Sequence, residues 1–433
     1  MAMDIRSLVL DSNKDIYSAI EEIIKKPSQD EPFYICDVSN LIWKVHNWRK
    51  LMPRVEIFFA TKCNNSSIVV ETFAALGLGF DCASKEEIQK ILSLGVPPER
   101  IVFSNPTKLF SHLTYAAEVG VNVMTFDNEA ELYKIQKYHS KAQLLLRLRC
   151  DDESARYQLG EKFGACPVTE ASGLLKVAKS IGLNVIGIHF HVGCGCVNYM
   201  AYYIAIATAK KVFDTGASLG YTFKLLDIGG GYPGEGFRPL DKIAEFINKA
   251  LEEHFPDNSV KIIAEPGKYC CNTAFKLVSR IHSKKVVTDH YEQKVRMYYM
   301  DVGAYNALFN ILVNEYYMYR PVTIENSAQL FPSIVWGPTS DTRDRLSEKV
   351  DYLPELNIGD WLIFEEAGGY TVSITCEYNG FASPLIYTVI NKEDCLLLTE
   401  KLQSPFPQDK FTSSLEAFFT GHKNPYSFRQ KYF

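Results

Sequence analysis

Eight times between residues 55 and 265 a short apolar run is followed by a longer amphipathic stretch, and this alternation narrows the possible folds more than any other feature of the chain. The short runs have the length and β-branched content of strands, and the intervening stretches carry apolar residues at helical spacing. Strands are expected near 55–60, 78–81, 101–104, 122–125, 144–149, 185–191, 223–228 and 260–265, with helices between them such as 85–94, 129–138, 170–181, 199–216 and 240–254. Strand–helix repetition gives a parallel sheet covered by helices, and eight units in roughly 210 residues fit a closed (β/α)8 barrel better than an open doubly wound sheet.

From about residue 275 the texture turns β-rich, with apolar segments at 275–281, 295–299, 361–364 and 385–389 separated by polar turns. A second, mostly β domain is expected there. The run Ser7-Leu8-Val9-Leu10, ahead of the barrel pattern, reads as a strand returning to that domain. The expected division is 1–35 as an N-terminal segment contributing to the β domain, 36–275 as the barrel, 276–400 as the β domain and 401–433 as an irregular tail with one short helix at 415–419.

Composition excludes several function classes. Acidic residues number 51 and basic residues 46, a net charge of −5 mixed along the chain, so the basic stripe that a nucleic-acid backbone needs is missing. No run reaches the length of about 18 apolar residues that a membrane helix requires. The start, Met1-Ala2-Met3-Asp4-Ile5-Arg6, has no signal-peptide core. Among 11 cysteines the close pairs are Cys194-Gly195-Cys196 and Cys270-Cys271, without Cys-x-x-Cys, which fits neither a disulfide framework nor a structural zinc site. A cytoplasmic protein without a bound metal is expected.

In a barrel, catalytic groups collect where strands end and loops begin. Lys62 follows the first expected strand, Asp81 closes the second, Arg147 lies in the fifth and His191 closes the sixth; Asp227 precedes Gly229-Gly230-Gly231, and Glu265 closes the eighth. Each alone could be an ion pair or a cap; together on one rim they form a candidate site. The run around Gly229–Gly231 is not Gly-x-Gly-x-x-Gly and lacks the Lys-Ser or Lys-Thr of a nucleoside triphosphate loop. Three adjacent glycines let backbone amides close around an anion, as does the turn Glu265-Pro266-Gly267-Lys268, and two tight barrel turns are the structural alternative. An anion cradle beside an amine, an acid and an imidazole suggests pyridoxal phosphate. Lys62 would form a Schiff base, Glu265 would keep the pyridine nitrogen protonated, His191 would lie on the ring, and Arg147 would help position the phosphate or the glutamate.

Seven ordered blocks carry a resemblance: Phe59-Ala60-Thr61-Lys62-Cys63-Asn64, Gly79-Phe80-Asp81-Cys82-Ala83-Ser84, Phe190-His191-Val192-Gly193, Leu226-Asp227-Ile228-Gly229-Gly230-Gly231, Ala264-Glu265-Pro266-Gly267, Trp336-Gly337-Pro338-Thr339 and Gly369-Tyr370-Thr371-Val372. On these the chain resembles the eukaryotic ornithine decarboxylase family, fold type III pyridoxal-phosphate enzymes, and looks most like a leucine decarboxylase-type paralogue. The resemblance implies an alanine-racemase-like barrel with a β domain, and a head-to-tail homodimer whose active sites lie between subunits. It makes Lys62 the Schiff-base lysine, Glu265 the pyridine partner and His191 the ring-stacking group, supported by Asp81 and Glu87. Cys194, Gly229, Gly230, Gly231, Gly267, Lys268 and Tyr370 would surround the phosphate. The opposite subunit would supply Ser340 and Asp341, and Tyr378 would join Val302 and Asp341 at the substrate.

Four positions depart from the family pattern. Lys268 stands where the decarboxylases have arginine and loses the fork that grips two phosphate oxygens. Cys194 replaces a serine, and Ser340 replaces the cysteine that helps protonate the product, a far weaker acid in its place. In Met300-Asp301-Val302-Gly303-Ala304-Tyr305 the acid that receives a distal substrate ammonium is Val302, and Asp301 beside it should face the other side of an extended strand. An ammonium buried without that acid carries a penalty of several kcal/mol. The expectation is therefore decarboxylation of a neutral aliphatic L-amino acid, leucine first, giving 3-methylbutylamine and CO2. The retained Asp341 keeps L-ornithine or L-lysine as an alternative, and a non-catalytic antizyme-inhibitor-like regulator is another. Phe110 and Glu118 make the corresponding surface unlike a basic antizyme-binding helix.

Overall fold

The computed structural model describes residues 7–11, 14–234, 239–313, 317–322, 329–347 and 350–402. The eight apolar runs form the strands Val55–Ala60, Gly79–Cys82, Ile101–Phe103, Val123–Phe126, Gln143–Arg149, Asn184–His191, Leu225–Asp227 and Lys261–Ala264. Each pairs in parallel with its successor, and the last returns to the first, closing the barrel. Such strands are buried on both sides, as in Val55–Ala60, where only Glu56 is exposed.

Phe58, Val102, Leu145 and Leu225, from the first, third, fifth and seventh strands, pack with Ile263 into one buried cluster. Four of the five come from alternate strands, whose inward side chains share a level in a tilted barrel, and Ile263 of the eighth strand packs beside them. The layer fills the interior and leaves the C-terminal rim to carry polar groups. Helix starts at that rim are fixed by Asp37, Ser84 and Asn128, whose side chains accept N–H bonds from the first turns of Val38–Leu51, Lys85–Ser93 and Glu129–Tyr138.

The second body is a nine-stranded sheet built on the long strand Phe275–Thr288. One part of that strand pairs antiparallel with Phe33–Asp37 and Trp361–Phe364, and the other with Lys294–Met300, with a register shift at Ile281/Ser283. Lys294–Met300 continues through Leu330–Trp336 to Asp351–Pro354. At the other end Ser7–Leu10 lies parallel to Leu385–Asn391, the Ser7 and Thr388 hydroxyls 2.8 Å apart.

The chain then turns helical at Lys392–Leu402, which β-rich texture did not suggest. The cause is local: the Asn391 side chain accepts the Asp394 N–H at 2.8 Å and caps the first turn. The expected tail beyond residue 402, with its short helix, lies outside the described residues. Among the described residues no helix is long and apolar enough to cross a membrane.

Candidate active site

The first barrel strand ends at Ala60, and one turn of 3-10 helix, Thr61–Cys63, places Lys62 at the rim. Thr61 and Cys63 are buried, whereas the Lys62 side chain is 48% exposed and lines a cleft of about 390 Å³. Its Nζ donates to Asp81 Oδ2 at 2.5 Å, and the other Asp81 oxygen accepts from the Ser104 hydroxyl. Glu87 accepts the Ala83 N–H at 2.5 Å and steadies the loop behind Asp81. Burial acts to lower the Lys62 pKa, but Asp81, Tyr370 and Glu265 overbalance it and hold the amine well above its ordinary value. A resting ammonium is not a nucleophile, and Asp81 is the acceptor in contact with its proton.

Alternation in Asn184–His191 puts His189 and His191 on one face of their strand. His189 Nε2 lies 3.2 Å from Glu265 Oε2, and burial lowers the imidazole's pKa, so a neutral ring donates to an ionised carboxylate. Burial alone would raise Glu265; His189, Lys62 and Arg147 reverse this and hold it at about 2. Asp227 is pushed well above the carboxylate range by burial and by the Glu265 charge. His191 is brought down to about 3, by burial first and by Arg147 second, and its Nδ1 accepts the Gly193 N–H at 3.0 Å. The rim therefore holds a neutral imidazole beside a fixed anion.

Gly229 and Gly231 have φ of 62° and 100°, which side-chain-bearing residues rarely adopt. A Cβ on either would also strike the Phe190 or Gly193 carbonyl oxygen. The glycine run is clamped from outside by the Tyr202 hydroxyl, which donates to Gly230 O at 2.7 Å and stacks on Tyr232. Gly267 packs against Cys63, and Lys268 opens the following helical turn, its Nζ 5.8 Å from the centre of the Tyr370 ring. Tyr370 reaches over from the β body: its N–H donates to Cys63 O at 2.8 Å, while Ser373 Oγ donates to Lys62 O at 2.9 Å.

Lys62, His191, Cys194, Gly230, Gly231, Glu265, Gly267, Lys268 and Tyr370 thus line one cleft, with Asp81 bonded to Lys62 and Gly229 just behind. Arg147 is buried with its guanidinium 5.1 Å from the centre of the Phe163 ring and does not line the cleft; it acts on Glu265 and His191 through its charge. Val302, Ser340, Asp341 and Tyr378 do not line this cleft either and gather on the β body. There Tyr378 packs on Tyr305 at 4.7 Å, the Tyr305 hydroxyl donates to Asp341, and Ser340 donates from both N–H and Oγ to Asn379 Oδ1 at 3.1 Å. Val302 has no exposed surface.

Several residues at the site carry little signal in the sequence. His189 was signalled by the pattern His189-Phe190-His191, since residues two apart in a strand share a face. Ser104 had a weaker signal, its place right after the third strand. Arg156, Tyr157 and Tyr232 also line the cleft from loops, where no periodicity marks them. Asp344 accepts from Ala304 N at 2.7 Å, Thr339 N at 3.0 Å and Thr339 Oγ1 at 2.6 Å, and pins the loops that carry Val302 and Ser340.

The model of the family described as pyridoxal-dependent decarboxylase, pyridoxal binding domain, matches residues 38–272. The chain belongs to this family. It is similar to ornithine decarboxylase of Rattus norvegicus, 40% identical over 411 residues that cover 92% of this chain and 88% of that one. It is also similar to antizyme inhibitor 2 of Xenopus laevis, 42% identical over 387 residues that cover 86% of this chain and 84% of that one. Among solved structures, the Paramecium bursaria Chlorella virus arginine decarboxylase bound to agmatine superposes with a TM-score of 0.82 at 34% identity, covering 86% of this chain and 100% of that one. The protein is a fold type III, pyridoxal-phosphate-dependent amino-acid decarboxylase of the ornithine-decarboxylase and antizyme-inhibitor family.

The residues present fit that cofactor. Glu265 Oε1 is buried and finds no hydrogen-bond partner among the described residues, and a protonated ring nitrogen would supply one. The glycine cradle leaves room that any side chain would fill. His189, Asp227 and Glu265 do bring one ligand atom each within 4.8 Å of one another, a spacing a metal ion could use. Yet His189 and Glu265 are already bonded to each other, and Asp227 Oδ1 accepts the Gly229 N–H at 2.9 Å.

Proposed function

We propose that the chain decarboxylates a neutral aliphatic L-amino acid, leucine first, to 3-methylbutylamine and CO2. The relatives point elsewhere: the decarboxylases named above are called ornithine and arginine decarboxylases, which favours a basic substrate and gives leucine no support. One observation carries the aliphatic reading against them. The position of the ammonium-binding acid holds Val302, fully buried, and the neighbouring Asp301 points into the sheet, Oδ1 accepting from Ser279 Oγ at 2.6 Å and Arg280 N at 3.1 Å. What the substitution does is remove an acid rather than add an apolar wall, since Val302 presents no surface. L-Ornithine or L-lysine remains the second reading, favoured by the relatives and by the retained Asp341.

Lys62 would hold the cofactor's aldehyde carbon, Glu265 its ring nitrogen, and Gly229, Gly230, Gly231, Gly267, Cys194, Lys268 and Tyr370 its phosphate, with His191 against the ring. Pyridoxal phosphate, when bound, supplies an electron sink for the pair left at Cα as CO2 departs. Asp81 takes and returns the Lys62 proton. Glu265, ionised and buried, would keep that ring nitrogen charged. His191, neutral, would cover the ring without adding a cation. We place Ser340, Asp341 and Tyr378 in the substrate site through a head-to-tail homodimer, in which the β body of one protomer completes the cleft of its partner. The division at 35, 275 and 400 and a cytoplasmic location belong to the same reading; cysteines held as thiols rather than disulfides support the latter.

The test is steady-state kcat/KM for leucine, valine, methionine, ornithine and lysine with saturating pyridoxal phosphate. Leucine ranking first supports the proposal, and ornithine or lysine ranking first rejects it. No cofactor-dependent turnover of any of them would favour a regulator.

A further inference from the structure

Asp341 is the acid on which a diamine-type substrate could still draw, and its side chain is 15% exposed. Arg343 occupies it. Nη2 donates to Oδ2 at 2.6 Å, Nε to the two oxygens at 3.1 and 3.2 Å, and the Arg343 backbone N–H to Oδ1 at 2.9 Å. The Tyr305 hydroxyl donates to Oδ2 as well, and Arg343 Nη2 lies 3.2 Å from that hydroxyl. Among the described residues, the side-chain hydrogen bonds that Arg343 donates go to Asp341 and Tyr305, while 74% of its side chain stays exposed, so it contributes little to the packing of the β body.

A guanidinium is permanently charged, and its fork matches a carboxylate at two points. An incoming ammonium has two choices at such a pair. It displaces the fork and leaves a cation unmatched, or it settles beside a like charge; either is unfavourable. A neutral side chain meets neither obstacle. Exposed ion pairs add little to stability, so the consequence of this one lies in what it repels. Arg343 and then Tyr305 hold Asp341 well below the carboxylate range, so protonation does not release the pair near neutral pH.

We propose that Arg343 is a specificity-determining residue, which occupies Asp341 and thereby turns away amino acids that carry a second, distal ammonium. The inference rests on the aliphatic reading above and adds a residue that reading did not need. It also explains why retention of Asp341 does not by itself imply a basic substrate.

The experiment compares kcat/KM for ornithine and for leucine in wild type, Arg343→Leu and the double variant Asp341→Asn/Arg343→Leu, each as the full chain with pyridoxal phosphate. Arg343→Leu should raise the ornithine-to-leucine ratio at least about tenfold, the scale of one charge-assisted contact. The double variant should bring the ratio back to within about threefold of wild type, because the acid that was uncovered is gone. A ratio unmoved by Arg343→Leu, or a rise that survives Asp341→Asn, overturns the proposal. The wild-type ranking reports separately: ornithine first removes the aliphatic reading, while leucine first with a flat response to Arg343→Leu removes only the role of Arg343.

Discussion

Asp301 accepts a hydrogen bond from the Ser279 hydroxyl at 2.6 Å across two paired strands, and this contact fixes where the acid next to Val302 points. Burial raises the Asp301 carboxyl to about 6, against the pull of Ser279 and the Arg280 N–H. An acid held in the sheet cannot also receive a substrate ammonium, so the distal charge of ornithine has no counterpart at positions 301 and 302.

Replacing Lys62 by alanine should abolish the visible absorption band of the purified holoprotein and lower decarboxylation at least about 10³-fold, the scale on which a single essential group counts. Removing Asp81 as Asp81→Asn should slow formation of the band after cofactor addition, since the acceptor bonded to the Lys62 amine is lost. Stopped-flow absorbance checks both.

Lys268→Arg should tighten cofactor binding by about three- to tenfold, as a two-point fork replaces a single ammonium contact. Lys268 stands at the start of a turn facing Tyr370, with space in the cleft for a longer side chain. The change is read from the pyridoxal phosphate concentration that half-restores the band.

His191 titrates at about 3 when folded, far below its unfolded value near 6.5. Between those values the unfolded chain binds the extra proton, so stability falls as pH drops from about 6.5 toward 3 and is fully present above 6.5. His191→Gln should flatten this slope between pH 6.5 and 5, measured as Tm against pH on the apoprotein.

Ser340 gives both of its hydrogen bonds to Asn379, so its hydroxyl proton is already committed. Under the head-to-tail arrangement proposed above, Ser340→Cys should raise kcat several-fold by offering a more acidic donor to the product. Initial rates at saturating substrate check this.

The barrel was legible because it repeats: eight strand–helix units leave a periodic trace, and rim residues such as Lys62, Asp81, His191 and Glu265 sit at predictable strand ends. Contacts made in loops left no such trace. Arg343 pairs with Asp341 over two residues in an irregular turn, and Asp344 bridges two loops; neither has a spacing that a sequence pattern marks. That Val302 stands where the family has an acid is legible in sequence because position is, whereas its full burial depends on the neighbouring β body. The helix Lys392–Leu402 hung on one cap at Asn391 inside a β-rich region.

The most direct test is a competition: holoenzyme with equimolar leucine and ornithine at neutral pH, and both amine products quantified by mass spectrometry. 3-Methylbutylamine should exceed putrescine by at least about tenfold, in line with an ammonium left without its acid. Putrescine in excess would contradict it.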